Sequence, residues 1–223
     1  FLAKMKHFFL LWLMCGLGLG QSVSAQTKLQ TQLSLLDNKA FGVYQNPALA
    51  VGRYDSSYAE VKTSLTHLHA DKALVAQMGR AFRAFQFDAS SYQWLGRNAV
   101  VWGNASYDHR RTQDVRWNET ADFMQVYPYV IADTLGGEIE REAYQFHMGY
   151  AQQLKCWRYG VEAAYESALS YRDTDPRPRN NSLFVNLKIG VAHPLGTRYD
   201  LGAYALWQRY SQEQSIAFMN PLG

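Results

Sequence analysis

Residues 157–171 read WRYGVEAAYESALSY, and apolar side chains alternate with polar or small ones along the run. One side of the run carries Trp157, Tyr159, Val161, Ala163, Tyr165, Leu169 and Tyr171, and the other side carries Arg158, Gly160, Glu162, Glu166 and Ser170. A period of two residues is the signature of a β-strand. The run is much longer than the roughly five or six residues of a typical strand. It therefore predicts a long strand with one apolar face and one polar face.

The same alternation recurs along the rest of the chain. We expect seven strands in all, and the other six cover residues 58–68, 81–95, 99–107, 144–154, 183–193 and 199–208. Short connections alternate with long ones, which are residues 68–80, 109–143 and 172–182. Long strands with short turns at one end and long loops at the other are typical of outer-membrane barrels. The predicted fold class is therefore all-β, a transmembrane antiparallel up-and-down β-barrel.

A soluble β-sandwich or a lipocalin-like barrel is the alternative, because strands alternate there too. In those folds the apolar face would be the inner one, and the charged face would meet water. An open sheet edge cannot lie in lipid, so a membrane barrel must close, and bacterial single-chain barrels have an even number of strands. Seven strands therefore predict an incomplete barrel, the N-terminal fragment of a longer one.

Composition agrees with interleaved polar and apolar residues. The chain has 223 residues, 48% of them hydrophobic, yet its mean hydropathy is −0.31. This combination excludes a protein with several membrane helices, because each such helix needs about 20 apolar residues in a row. The aromatic content of 14% also argues against intrinsic disorder.

The N-terminus has the pattern of a secretory signal peptide. Lys4 and Lys6 precede an apolar run over residues 8–19, and small residues follow it up to Ala25. A basic start, an apolar run and a small-residue exit predict export, with cleavage after Ala25. The predicted organisation has three parts: residues 1–25 as upstream residues and signal peptide, 26–56 as a periplasmic, hatch-like segment, and 57–223 as an incomplete outer-membrane barrel.

Cleavage changes the charge and the cysteine count. Loss of Lys4 and Lys6 from the 22 basic residues leaves 20 against 19 acidic ones, a net charge of +1. The overall basicity is therefore no argument for nucleic-acid binding, and no nucleic-acid partner is expected. Cys156 is the one cysteine left, so no intrachain disulfide can form.

Three groups of segments carry a family resemblance. They are VYQNPAL at residues 43–49; WGNASY, VRWNET and YPYVIAD at 102–107, 115–120 and 127–133; and YRDTDPRP at 171–178. Together they resemble an uncharacterised family of Bacteroidota outer-membrane β-barrel proteins, known as a domain of unknown function. Asn46-Pro47-Ala48 is also similar to the N-terminal element of FadL-type transporters, where it belongs to a hatch inside the barrel mouth.

The resemblance implies an outer-membrane location. It also implies work beside a TonB-dependent transporter and its associated lipoprotein, and it supplies no catalytic residues. Members of the family it resembles are longer than this chain.

The polar side chains of the predicted strands are expected to line a water-filled lumen and to tune its substrate selectivity. The expected lumen-lining residues are Asn104, His147, Arg158, Glu162, Glu166 and Lys188.

The connection over residues 109–143 is longer than a loop that only joins two strands usually is. It contains Arg116, Trp117, Tyr127 and Tyr129, and aromatic and arginine side chains are the usual anchors of protein interfaces. We expect this loop to fold over the barrel mouth or to dock on a partner. A loop ordered only by its own packing is the alternative.

The connection after residue 171 holds a second charged cluster, formed by Arg172, Asp173, Asp175 and Arg177. We interpret it as a stiff polar turn, because the interspersed prolines fix the backbone. Its arginines are expected to pair with those aspartates or with lipopolysaccharide phosphates, which the arginine fork fits well. Outer-membrane lipid and lipopolysaccharide are thus the expected surroundings.

Signals for catalysis and metal binding are weak. His67 and His69 do not meet a zinc pattern in spacing or count, and no metal or cofactor is expected. A hydrolase would use groups such as Ser106 and Asp108, but the chain has no Gly-x-Ser-x-Gly element. We therefore do not expect an enzyme.

The sequence favours an outer-membrane barrel that takes part in uptake of a small substrate, as a channel or as an accessory to a TonB-dependent transporter. A structural barrel that binds partners through its long loops is the alternative, and an outer-membrane hydrolase is the least favoured reading.

Overall fold

The computed structural model describes residues 45–196 and 199–219. The predicted signal peptide and the first part of the predicted hatch-like segment lie outside these residues. The described chain forms seven strands: β1 Tyr58–His69, β2 Ala81–Leu95, β3 Ala99–Val115, β4 Gly137–Leu154, β5 Trp157–Tyr171, β6 Arg177–Leu195 and β7 Tyr199–Ala217. Two 3₁₀ turns, Pro47–Ala50 and Ala76–Met78, and a short helix α1, Phe123–Val126, complete it. In this described part, no helix is long and apolar enough to cross a membrane.

All seven strands belong to one sheet, in which each strand pairs antiparallel with the next along the chain. The predicted all-β, antiparallel, up-and-down fold with seven strands is confirmed. The sheet is not closed, because among the described strands β1 and β7 each pair on one side only. With seven alternating strands, β1 and β7 run in the same direction, so they could not complete an antiparallel ladder with each other.

The strands extend further into the long connections than the sequence predicted. β3 runs to Val115 and β4 begins at Gly137, so the loop between them covers residues 116–136 rather than 109–143. Charged side chains continue the ladder where the apolar alternation has ended. The Arg111 guanidinium, for example, lies 2.5 Å from the Glu138 carboxylate across the β3–β4 pair. The connection after β5 is also shorter than predicted, because β6 starts at Arg177.

The two faces of the sheet differ sharply in chemistry. One face, which we call the apolar face, carries large side chains that are more than a third exposed, among them Val61, Phe87, Tyr144, Phe146, Met148, Val161, Leu187 and Ile189. The opposite face, which we call the polar face, carries Asn104, Glu162, Lys188 and their neighbours at alternate positions. Chain segments from outside the strands lie on the polar face.

Candidate functional site

An N-terminal segment, residues 45–54, lies on the polar face near the short turns. The Asn46 side-chain amide donates hydrogen bonds to the carbonyls of Val191 and Ala203, at 3.1 and 3.2 Å, on β6 and β7. Its side-chain oxygen accepts from the backbone N–H of Ala48 at 3.0 Å. Asn46 is 5% exposed, and Ala48 is fully buried. The asparagine thus both closes its own turn and fixes that turn to two strands.

Three glycines on neighbouring strands make room for this segment. A Cβ atom on Gly160 would lie 2.5 Å from the Pro47 carbonyl oxygen, and one on Gly202 would lie 2.7 Å from the Asn46 amide nitrogen. A Cβ on Gly190 would overlap the Asn46 side-chain oxygen. Glycine in a strand often marks a place where another backbone approaches closely. These three residues, the glycine cradle, allow the segment to touch the sheet.

Aromatic side chains hold the other end of the segment. The Tyr92 hydroxyl donates to the Ala50 carbonyl at 2.8 Å, and the Trp94 indole donates to the Tyr54 carbonyl at 3.0 Å. The Tyr54 ring packs edge-on against Tyr92, with 5.0 Å between ring centroids. The segment therefore reaches across the polar face from β7 to β2.

A chain of ion pairs runs across the middle of the polar face. Glu162 on β5 lies between His147 Nε2 at 3.2 Å and Lys188 Nζ at 2.8 Å. Nearer the long loops, Glu166 accepts from Arg141 at 2.6 Å and from the Gln145 amide at 3.1 Å. Most charges on this face are thus neutralised by a neighbour rather than left open.

The structure places all six predicted polar residues on the polar face. His147, Glu162 and Lys188 come together, and Glu166 instead joins Arg141. Arg158 pairs with Asp200 near the short turns. Asn104 stands apart from these ion pairs, and its amide approaches the Ala89 carbonyl at 3.5 Å.

Arg141 belongs to the same network, 3.9 Å from Asp108, but was not among the residues predicted for the polar face. It fell within the predicted loop. The alternation of strand residues could have revealed it, because Arg141 continues the polar side of β4 beyond the last apolar residues.

The loop between β3 and β4 folds onto the polar face near the long-loop end. The carboxylate of Glu119 lies 2.6 Å from the Arg172 guanidinium, and both side chains are at most 2% exposed. The side-chain amides of Asn180 and Gln214 donate to the Glu119 carbonyl at 2.9 and 2.8 Å. Burial raises the pKa of Glu119, and the positive charge of Arg172 opposes that rise. The loop is therefore anchored to Arg172, which directly follows β5, and to β6 and β7.

The four residues of this loop that the sequence marked as interface anchors are exposed. Arg116 is exposed, and Trp117, Tyr127 and Tyr129 are 50%, 66% and 87% exposed.

In the second charged cluster, Arg172 turns inward to Glu119, whereas Arg177 Nε donates to Asp175 at 2.9 Å. Asp173 is exposed. The cluster is thus divided between a buried anchor and a surface turn.

Comparison with known proteins gives one match. The family of unknown function DUF6850 matches residues 47–223. This chain belongs to DUF6850. No curated protein and no solved structure matches it.

The DUF6850 match includes the glycine cradle, both ends of the polar face and all seven strands. It begins at Pro47, inside the Asn46-Pro47-Ala48 element.

Several cavities adjoin the polar face of this DUF6850 member. A cavity of about 370 Å³ lies between the β3–β4 loop and the sheet, and Arg110, Asp122 and Arg141 are among its lining residues. Another, of about 470 Å³, lies between the same loop and β7 and is lined in part by Tyr127 and Tyr210. A smaller cavity of about 160 Å³ lies beside the N-terminal segment and is lined in part by Trp102 and His147. All three have mixed polar and apolar walls.

Groups that could do chemistry are dispersed. Ser106 and Asp108 lie on the polar face, but His109 lies on the apolar face beside Glu140. The Ser106 hydroxyl donates to the Gln145 side chain at 3.2 Å rather than to a base. Within residues 45–196 and 199–219, no cluster of three His, Cys, Asp or Glu side chains could hold a metal ion.

Proposed function

We propose that this chain is an outer-membrane β-barrel protein that takes part in uptake of a small substrate, without catalysis of its own. It would act as a channel or as an accessory to a TonB-dependent transporter. The observation that carries the proposal is the orientation of the two faces. Charged side chains lie on the face that other chain segments cover, and large apolar side chains are exposed on the opposite face. A soluble sandwich has the reverse arrangement, and soluble monomers rarely expose so extended an apolar surface.

The size of this effect can be judged from β4 alone. Tyr144, Phe146, Met148 and Tyr150 are 38% to 60% exposed on its apolar face. Full burial of one such side chain stabilises a protein by about 1.5–3 kcal/mol, so half-exposure of four forgoes roughly 3–6 kcal/mol in water. A whole domain is stable by only about 5–15 kcal/mol. Lipid against this face would recover that free energy on every strand.

The proposal requires that both edges of the sheet be paired in the membrane. Unpaired backbone groups cost several kcal/mol each in hydrocarbon. In a membrane, β1 and β7 must therefore each pair with a further strand, as the seven-strand count of the sequence also suggested.

Two chain segments would then control passage. Residues 45–54 lie near the short turns, and residues 118–122 lie near the long loops, on the same face. Inside a barrel, the first would act as a hatch and the second as a constriction. The ion pairs between them leave little uncompensated charge, which suits neutral or zwitterionic solutes better than strongly charged ones.

A structural, partner-binding barrel is the second candidate. It is favoured by the occupation of the polar face at both ends, and by the exposed Tyr127 and Tyr129 at the loop tip. In that case the barrel would be closed to solutes and would act through its loops.

Solute flux separates the two candidates. The full-length protein is purified from the outer-membrane fraction, reconstituted in phospholipid vesicles and assayed with small neutral sugars and amino acids. A variant with residues 117–135 replaced by a short Gly-Ser linker should pass these solutes faster than the unchanged protein. Tyr129→Ser, which alters only an exposed tip residue, is the matched control. No flux with either protein favours the partner-binding barrel, and recovery of the full-length protein only in soluble fractions overturns both candidates.

A further inference from the structure

The cavity of about 370 Å³ between the β3–β4 loop and the sheet has the features of a built site. Its walls come from three separate parts of the chain: the β3–β4 loop, the sheet, and the 3₁₀ turn at Ala76–Met78. Its volume of about 370 Å³ lies within the roughly 300–1,000 Å³ range of small-molecule pockets. The cavity is therefore suited to a small molecule.

One cation in the cavity is available to a ligand. Arg110 and Arg141 lie directly opposite each other on β3 and β4. Arg141 has the Glu166 carboxylate at 2.6 Å and those of Asp122 and Asp108 at 3.8 and 3.9 Å. Among the residues that the structure describes, Arg110 has no carboxylate within 4 Å, and its guanidinium lies 4.8 Å from the Phe82 ring centroid. Like charges on facing strands destabilise a sheet. An anionic ligand at Arg110 would therefore offset the repulsion between Arg110 and Arg141.

A carboxylate in the same cavity has spare capacity to accept hydrogen bonds. Asp122 accepts from the Tyr210 hydroxyl through Oδ2 at 2.9 Å, whereas its Oδ1 lies 3.8 Å from Arg141, beyond hydrogen-bonding distance. Its side chain is 25% exposed. The backbone of Asp122 is left-handed, with φ of 52°. Such backbone costs free energy in a non-glycine residue, and it persists where the surroundings impose it.

The remaining wall is largely apolar. Met78, Val115, Phe123, Met124 and Ile139 line the cavity together with the two charged groups. A ligand that matches this wall carries one negative charge, one positive charge and an apolar body.

We propose that this cavity binds an apolar amino acid or short peptide with free termini. Its carboxylate pairs with Arg110, its ammonium group donates to Asp122, and its side chains pack on the wall around Phe123. The inference deepens the uptake function proposed above, on which its biological meaning rests, by naming the substrate class. The binding itself needs no transport and can be measured alone.

Titration calorimetry on the full-length protein in detergent micelles tests the chemistry of the ligand. The probes are leucine, leucyl-leucine, leucyl-leucinamide without the carboxylate, N-acetyl-leucyl-leucine without the ammonium group, and glycyl-glycine without the apolar body. Leucine or leucyl-leucine should bind, and the probe that binds more tightly identifies the length of the ligand. The three remaining probes should each bind at least tenfold more weakly. Equal binding of the amide or the acetylated probe would overturn the proposal, as would no binding of either zwitterion at millimolar concentration.

A variant comparison tests the assigned contacts. Arg110→Gln should weaken leucyl-leucine at least tenfold but leave leucyl-leucinamide unchanged, because that probe has no carboxylate to lose. Arg83→Gln, on the apolar face of the adjacent strand, is the matched control and should change neither. An equal loss for all probes would contradict the assignment to Arg110. If Arg110→Gln does not insert, the probe series on the unchanged protein still decides the ligand class. Binding without flux would refute only transport, and flux without binding would refute only this inference.

Discussion

Leu187 and Asn186 are neighbours on β6 whose side chains point to opposite faces of the sheet, so they form a matched pair for a test of its surroundings. Leu187 lies at the centre of the apolar positions of β6, residues 183–191, and is 45% exposed. Asn186 lies on the polar face opposite Ala164 and Gln208. We predict that Leu187→Arg destabilises the folded protein strongly and that Asn186→Arg does so weakly.

The expected magnitude follows from the environment of each side chain. An arginine at the lipid-facing midplane of a barrel costs about 2–4 kcal/mol. A tenfold change in an equilibrium constant corresponds to a free-energy difference of about 1.4 kcal/mol. Leu187→Arg should therefore shift the folding equilibrium roughly 30- to 700-fold towards the unfolded state. In water, a substitution at a half-exposed position usually changes stability by no more than about 0.5 kcal/mol. Asn186→Arg adds a charge beside Lys188 on a hydrated face, and we expect less than about 1 kcal/mol.

Urea unfolding of the full-length protein in phospholipid vesicles measures both variants, with tryptophan fluorescence as the signal. The midpoint should fall for Leu187→Arg and change little for Asn186→Arg. Two results would refute the reasoning. Equal, small effects would mean that water covers the apolar face, and a larger effect of Asn186→Arg would mean that the polar face is the dry one.

Three further predictions concern the segments on the polar face. Gly190→Ala should displace the N-terminal segment, because the new Cβ overlaps the Asn46 side chain and overpacking costs about 1–3 kcal/mol. Faster proteolysis near residue 46 would report the displacement. Gly103→Ala, whose Cβ would have only an ordinary contact at 3.5 Å, is the control. Arg172→Gln should release the β3–β4 loop at pH 7, because it leaves the buried Glu119 carboxylate without its cation, at a cost of about 3–5 kcal/mol. Hydrogen exchange over residues 116–136 measures the release. Arg111→Gln, which breaks an exposed ion pair, is the control and should cost less than about 1 kcal/mol. Because burial raises the pKa of Glu119, docking of the loop in the unchanged protein should be strongest below the ordinary carboxyl pKa of about 4.3. Docking should weaken as the pH rises through the raised pKa. A rate of loop proteolysis that falls with rising pH would contradict this pH dependence.

Much of the fold could be predicted from the sequence because a strand has an exact period of two. That period assigns Glu162, Lys188 and His147 to one face, and the register of β4, β5 and β6 brings them together. The position of the strand ends could not be predicted in the same way. Beyond Tyr107 the apolar alternation is replaced by charged residues on both faces, and cross-strand ion pairs continue the ladder to Val115.

The route of the β3–β4 loop was also beyond the sequence. Glu119 and Arg172 are 53 residues apart along the chain, and each is an ordinary charged residue in a polar segment. Burial of both depends on the amides of Asn180 and Gln214, which belong to two other strands. Such a contact is specified by four distant residues at once, so no local pattern reveals it.

The glycine cradle had a signal that strand alternation alone does not use. Gly160 and Gly190 both fall at polar-face positions, and the register places them directly opposite each other. A glycine at one polar-face position removes a side chain, but a facing pair leaves a gap two strands wide in this face. Gly202 on β7, opposite Ala192, widens that gap to a third strand. A sheet in water or in lipid gains nothing from such a gap unless another backbone fills it. The facing glycines therefore point to a docked segment, and Asn46-Pro47-Ala48 is the segment that occupies the gap.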